Sequence, residues 1–162
     1  MRGKIRVKRD RNKDNPPRTQ YAALCVRQRQ AIPEILLITS RDTGRWVIPK
    51  GWPMKKRKPH QVAQQEALEE AGIVGQAAKR SFGSYQYEKR LSGGDAVTCI
   101  VKVHLLSVSD TVAEFAERGQ RQMTWMAPRD AAKQVKEPQL KEIMERLADE
   151  FEAVNCHAST LR

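Results

Sequence analysis

At 162 residues with 40% hydrophobic content, the chain suits one domain with an adequate core. Its formal net charge of +11 points toward anionic partners rather than a membrane. No apolar run approaches the roughly 20 residues of a membrane helix, and no signal-like apolar stretch follows the basic N-terminus. Cys25, Cys99 and Cys156 are scattered without C-x-x-C spacing, which argues against zinc or a disulfide framework and for a reducing, cytoplasmic compartment.

Residues 1–17 form a basic arm rich in Lys, Arg, Asn and Asp that closes on Pro16-Pro17 and is expected to be flexible. A single domain is expected over 18–154, with 155–162 as a tail. Within it, 20–27 and 34–40 read as buried strands joined by a polar turn at Pro33, and 45–48 as a short strand closed by Pro49 and Gly51. A helix is expected from Pro59, a good first-turn residue, to just before Gly72, a good residue beyond a helix end. Its Ala67, Leu68 and Ala71 should pack on a sheet.

Strands follow at 81–89, 96–106 and 122–126, the first two separated by a Ser92-Gly-Gly-Asp95 turn. A short helix is expected over 128–135. Leu140, Ile143, Met144, Leu147 and Phe151 recur at helical spacing and predict an amphipathic C-terminal helix. Mixed strands flanked by helices on both sides give an α/β fold, an α/β/α sandwich around a mixed β-sheet.

Glu66, Glu69 and Glu70 fall at i, i+3 and i+4, on one face of the predicted helix. Glu66 and Glu70 repel there, and neither has a Lys or Arg four residues later. A merely soluble helix face would alternate its signs, whereas clustered carboxylates become favourable around a hard divalent cation such as Mg2+. Just before this helix, Lys55-Lys56-Arg57-Lys58 form a basic loop beside the acidic face.

The stretch 51–73 resembles the Nudix box, with Gly51, Glu66, Ala67, Glu69, Glu70, Gly72 and Ile73 at the required spacing. Two positions depart from it: Arg57 stands where the family has a glutamate, and Gln65 where it has an arginine. Those two side chains are thought to brace the loop in typical members. Losing both strands no charge, whereas losing one of a buried pair costs about 3–5 kcal/mol.

The resemblance is greatest to the diphosphoinositol polyphosphate phosphohydrolase and diadenosine polyphosphate hydrolase subgroup. It rests on Arg18 before the first strand, Ser40-Arg41 after the second, Lys50-Gly51 and the helix glutamates. It implies the same α/β/α architecture and hydrolysis of a pyrophosphate linkage in a phosphate-rich small molecule. Glu66, Glu70 and the Gly51 carbonyl would hold Mg2+ or Mn2+, and Glu69 would act as general base, a role that Glu66 or Glu70 could exchange with it. Arg18, Ser40, Arg41, Lys50, Lys55 and Lys56 are the substrate-contact candidates, since cationic donors suit crowded phosphates.

Two rival readings stay open. One is a nucleoside triphosphate or nucleotide-sugar substrate. The other is a weakly catalytic module that binds RNA or another polyanion, although no recognisable nucleic-acid motif favours that partner.

Overall fold

The computed structural model describes residues 15–160, Thr160 by its backbone alone. Most of the basic arm, residues 1–14, therefore lies outside the described residues. In chain order the elements are β1 (Arg18–Arg29), β2 (Ile32–Thr39), β3 (Trp46–Val47), β4 (Lys50–Gly51), α1 (Pro59–Ala71), β5 (Ile73–Ala77), β6 (Gly83–Arg90), β7 (Ala96–Thr111), β8 (Met123–Met126), α2 (Pro128–Gln134) and α3 (Pro138–Thr160).

The strands make one mixed sheet whose main path runs β3-β2-β1-β7-β5, with β4 on β1, β6 on β7 and β8 on β2. β1 runs parallel to β7, pairing Arg18 with Cys99 through Val26 with Ser107. The other pairings are antiparallel. Both faces of the central strands are covered, and their side chains sort by the two-residue strand period. Ala22, Leu24, Ile35 and Leu37 pack in the core that includes Ala131 of α2 and Leu140, Met144 and Leu147 of α3. Ala23, Cys25, Leu36 and Ile38 face the opposite way, into the core with Ala63, Ala67 and Ala71 of α1. This two-sided burial produces the expected sandwich.

Two short strands, β4 and β5, have no counterpart in the sequence reading. β4 is two residues long, and Gly75 and Gln76 dilute the apolar pattern of β5. The C-terminal helix continues to Thr160, so residues 155–160 are helical instead of a tail. Intrahelical hydrogen bonds carry the backbone on past the last core contact, as an exposed helix end allows. On α1 the buried residues are Val62, Ala63, Ala67, Glu70 and Ala71, with Leu68 only half-buried. Small alanines let the helix lie close to the sheet, and the longer Leu68 sits at its margin.

Cys25 and Cys99 are buried and Cys156 is exposed. His104 is buried on β7, its Nδ1 at 2.8 Å from the Ala78 carbonyl. No helix among the described residues is long and apolar enough to cross a membrane.

Candidate active site

α1 starts behind Pro59, with the Lys58 amide donating to Gln61 Oε1 at 2.8 Å. It stops at Gly72, whose left-handed φ of 67° favours glycine. A Cβ there would also lie 2.5 Å from the Phe115 ring, so the following loop packs directly on the helix end. Hydrogen bonds fasten that loop: Val112 N to Gly72 O at 2.8 Å and Glu117 N to Glu69 O at 2.9 Å. The backbone thereby brings a fourth acid, Glu117, beside the three on α1.

β4 supplies the facing wall. It is pinned to β1 through the Tyr21–Gly51 and Ala22–Lys50 pairs, and Ala23 N donates to Pro49 O at 2.9 Å. A Cβ on Gly51 would sit 2.0 Å from Glu66 Oε1, so only glycine lets this carboxylate approach the β4 backbone so closely. The Lys50 amide points at Glu70 Oε2, 3.4 Å away. The Gly51 backbone and the Glu66 and Glu70 carboxylates therefore converge.

Glu70 is buried, with its side chain only 9% exposed. Its pKa rises to about 8: burial drives it up, Arg121 opposes this, and Glu66 adds to it. Burial, then Glu69, also raises the Glu66 carboxyl. Glu70 has a cationic partner after all, from far along the chain. Arg121 Nη2 lies 3.3 Å from Glu70 Oε1 and 3.5 Å from Glu117 Oε2, and Nη1 donates to the Thr39 carbonyl at 3.0 Å. Glu69 accepts a 2.7 Å hydrogen bond from Gln65 Nε2. Gln65 thus orients the candidate base, while Arg57 is exposed in the preceding loop.

Glu66, Glu69, Glu70, Glu117 and Arg121 line a cleft of about 400 Å3 with Gln20, Ser40, Arg41, Trp52, Tyr87 and Lys89. Of the substrate-contact candidates, Ser40, Arg41 and Lys50 line it. Arg41 is already engaged, with Nη1 2.8 Å from Glu117 Oε1 and 3.1 Å from Gln120 Oε1. Lys50 Nζ lies 5.2 Å from the Tyr87 ring centroid, and burial lowers its pKa. Arg18 is exposed and stands over Trp52 instead, 6.0 Å from the ring centroid. Lys55 and Lys56 are exposed and do not line this cleft.

Glu117, Arg121, Tyr87 and Lys89 were not singled out in the sequence. Glu117 and Arg121 lie between strands with no periodicity to mark them. Tyr87 and Lys89 share a strand whose alternation shows only that they point the same way.

Hard oxygen donors with raised proton affinity are what a hard divalent cation would replace protons on, so the donor chemistry fits Mg2+ or Mn2+. In the present side-chain positions, no three or more His, Cys, Asp or Glu among the described residues close around one point. The Arg121 guanidinium lies between Glu70 and Glu117.

The chain resembles known proteins over most of its length. It is 28% identical to diphosphoinositol polyphosphate phosphohydrolase 2 of Rattus norvegicus over 130 residues, 78% of this chain and 68% of that protein. It is 26% identical to the mitochondrial Nudix hydrolase 12 of Arabidopsis thaliana over 125 residues, 73% of this chain and 58% of that protein. In fold it is similar to a C. elegans Ap4A hydrolase, with TM-score 0.61, 18% identity, and coverage of 83% of this chain and 98% of the other. A MutT protein from Methanosarcina mazei Go1 superposes with TM-score 0.59 at 19% identity, covering 88% and 97%. The NUDIX domain family matches residues 17–147, and the chain belongs to that family.

Proposed function

We propose that this Nudix hydrolase cleaves a pyrophosphate linkage in a phosphate-rich small molecule, a diadenosine polyphosphate or a diphosphoinositol polyphosphate, with Mg2+ or Mn2+. The observation that carries the reading is the convergence of Glu66, Glu70 and the Gly51 backbone in a cleft that also holds Lys50 and Lys89. The relatives named for diphosphoinositol polyphosphates and Ap4A support the substrate class.

Glu66, Glu70 and the Gly51 carbonyl would hold the divalent cation, which when bound neutralises phosphate oxygens and activates water. Glu69 takes the proton of the attacking water, its carboxylate aimed by Gln65. Lys50 and Lys89 meet the flanking phosphates from the opposite wall. Trp52, a 36% exposed ring on the cleft, favours nucleoside-bearing members of the class and gives the nucleotide reading its support.

The test is hydrolysis with Mg2+ and Mn2+ over dinucleoside polyphosphates, inositol pyrophosphates, nucleoside triphosphates and nucleotide sugars. Metal-dependent release of a phosphate product from the first two classes is expected. Turnover confined to nucleoside triphosphates or sugars would shift the substrate, and none at all would leave a binding module.

A further inference from the structure

Arg121 is the least expected component of the cleft. Its side chain is 9% exposed, and it enters from the segment before β8 into a group containing Glu70 and Glu117. Two features set it apart from a guanidinium built in for stability. A committed arginine–carboxylate pair is bidentate, with N···O distances near 2.7–2.9 Å. Here a single nitrogen, Nη2, is shared between two carboxylates at 3.3 and 3.5 Å. In addition, Arg121 Nε is buried without a hydrogen-bond partner among the described residues. A buried donor left unpaired offsets part of what the ion pairs contribute. The arginine is held by its hydrogen bond to the Thr39 carbonyl and by long-range attraction to the acids on either side of it.

We infer that Arg121 is a resident cation of the acidic cluster, which a divalent ion must outcompete for Glu70. This rests on the reading of the cleft as a divalent-cation site. Arg121 keeps the acids compatible with folding when no metal is bound, and in doing so it lowers the affinity with which metal binds. A tethered positive charge raises the metal concentration needed to fill the site. Removing it tightens metal binding while weakening the metal-free fold, and these opposite signs are what a purely structural arginine would not produce.

The experiment measures Mn2+ and Mg2+ binding without substrate by titration calorimetry, together with thermal melting with and without metal. Wild type is compared with Arg121→Gln and Arg121→Lys. Arg121→Gln is expected to bind metal on the order of tenfold more tightly, a typical coupling between two sites. It should melt lower without metal and show a larger metal-induced rise, while Arg121→Lys stays within a few-fold of wild type. Equal or weaker metal binding by Arg121→Gln overturns this inference alone. Binding by neither protein overturns it together with the hydrolase reading. If Arg121→Gln does not fold, the wild-type protein still decides: the Arg121 side-chain N–H resonance, assigned by its loss in Arg121→Lys, must move on Mg2+ addition, and an unmoved signal refutes the competition.

Discussion

The acidic face of α1 and the basic loop leading into it are adjacent in sequence and comparably charged, yet the fold treats them differently. Glu66 and Glu70 are drawn in, against β4 and Arg121, and their charged forms become costly. Lys55, Lys56, Arg57 and Lys58 are all exposed. The positive groups that do line the cleft, Arg41, Lys50, Lys89 and Arg121, come from separate parts of the chain. A run of like charges in sequence is most stable when solvated, because adjacent cations repel and screening by water is strong. Cations that share a functional site are spread along the chain so that the backbone, instead of mutual repulsion, sets their distances.

The contrast is broken most severely by neutralising the buried acids. Glu70→Gln or Glu66→Gln should lower metal-dependent turnover by more than about 100-fold, beyond the 10–100-fold typical of groups that merely support a metal ligand. Near-ultraviolet circular dichroism should show the fold retained. Turnover within a few-fold of wild type would remove these residues from the metal site.

Acidity probes the same face without mutation. Glu70, with Glu66 on α1, Arg121 and Glu117 on the loop and Lys50 on β4 around it, has a pKa of about 8 in the metal-free protein. Metal binding must displace its proton, so Mg2+ affinity should climb with pH toward 8, by up to about tenfold per unit for one proton released. Folding follows the opposite sign. A carboxyl raised above its ordinary 4.5 contributes stability that is complete below that value and fades as pH rises to about 8. Metal-free melting temperatures across this range, read beside Mg2+ titrations, check both trends, and a flat affinity profile would contradict the assignment.

A smaller effect is expected from Gly51→Ala. The new methyl would overlap Glu66 Oε1, and a flexible carboxylate can swing away, so the fold should survive while metal affinity falls about tenfold. Calorimetric titration distinguishes this from an unchanged site. Smallest of all, replacing Lys55 and Lys56 together by Ala should change the KM for a phosphate-rich substrate less than about twofold at physiological salt, where exposed charges are screened beyond about 8 Å. Lys89→Ala should raise that KM several-fold. Equal effects from the two would mean that the basic loop reaches the substrate.

Much of this was legible because the relevant physics is local. Helical spacing put Glu66, Glu69 and Glu70 on one face, Pro59 and Gly72 marked the helix ends, and the continuous apolar runs of β1 and β2 anticipated a sheet covered on both sides. What stayed hidden depends on contacts distant in sequence. Arg121 reaches Glu70 across some 50 intervening residues, and β5 owes its strand conformation to the end of β7 more than to its own composition. The two departures at Arg57 and Gln65, by contrast, have a local answer: Gln65 hydrogen-bonds Glu69 one helical turn further on, and Arg57 is exposed.

The parallel pairing of β1 with β7 also sets a timetable for folding. Residues 18–26 wait for partners at 99–107, roughly 80 positions later in synthesis, and such distant closures slow folding. At about 5–20 residues per second, a ribosome needs several seconds or more to deliver them. During that interval the apolar β1–β2 hairpin has an unpaired edge, and α1 lacks the finished sheet on which it packs. The nascent chain thus passes through an aggregation-exposed stage that the finished protein does not show.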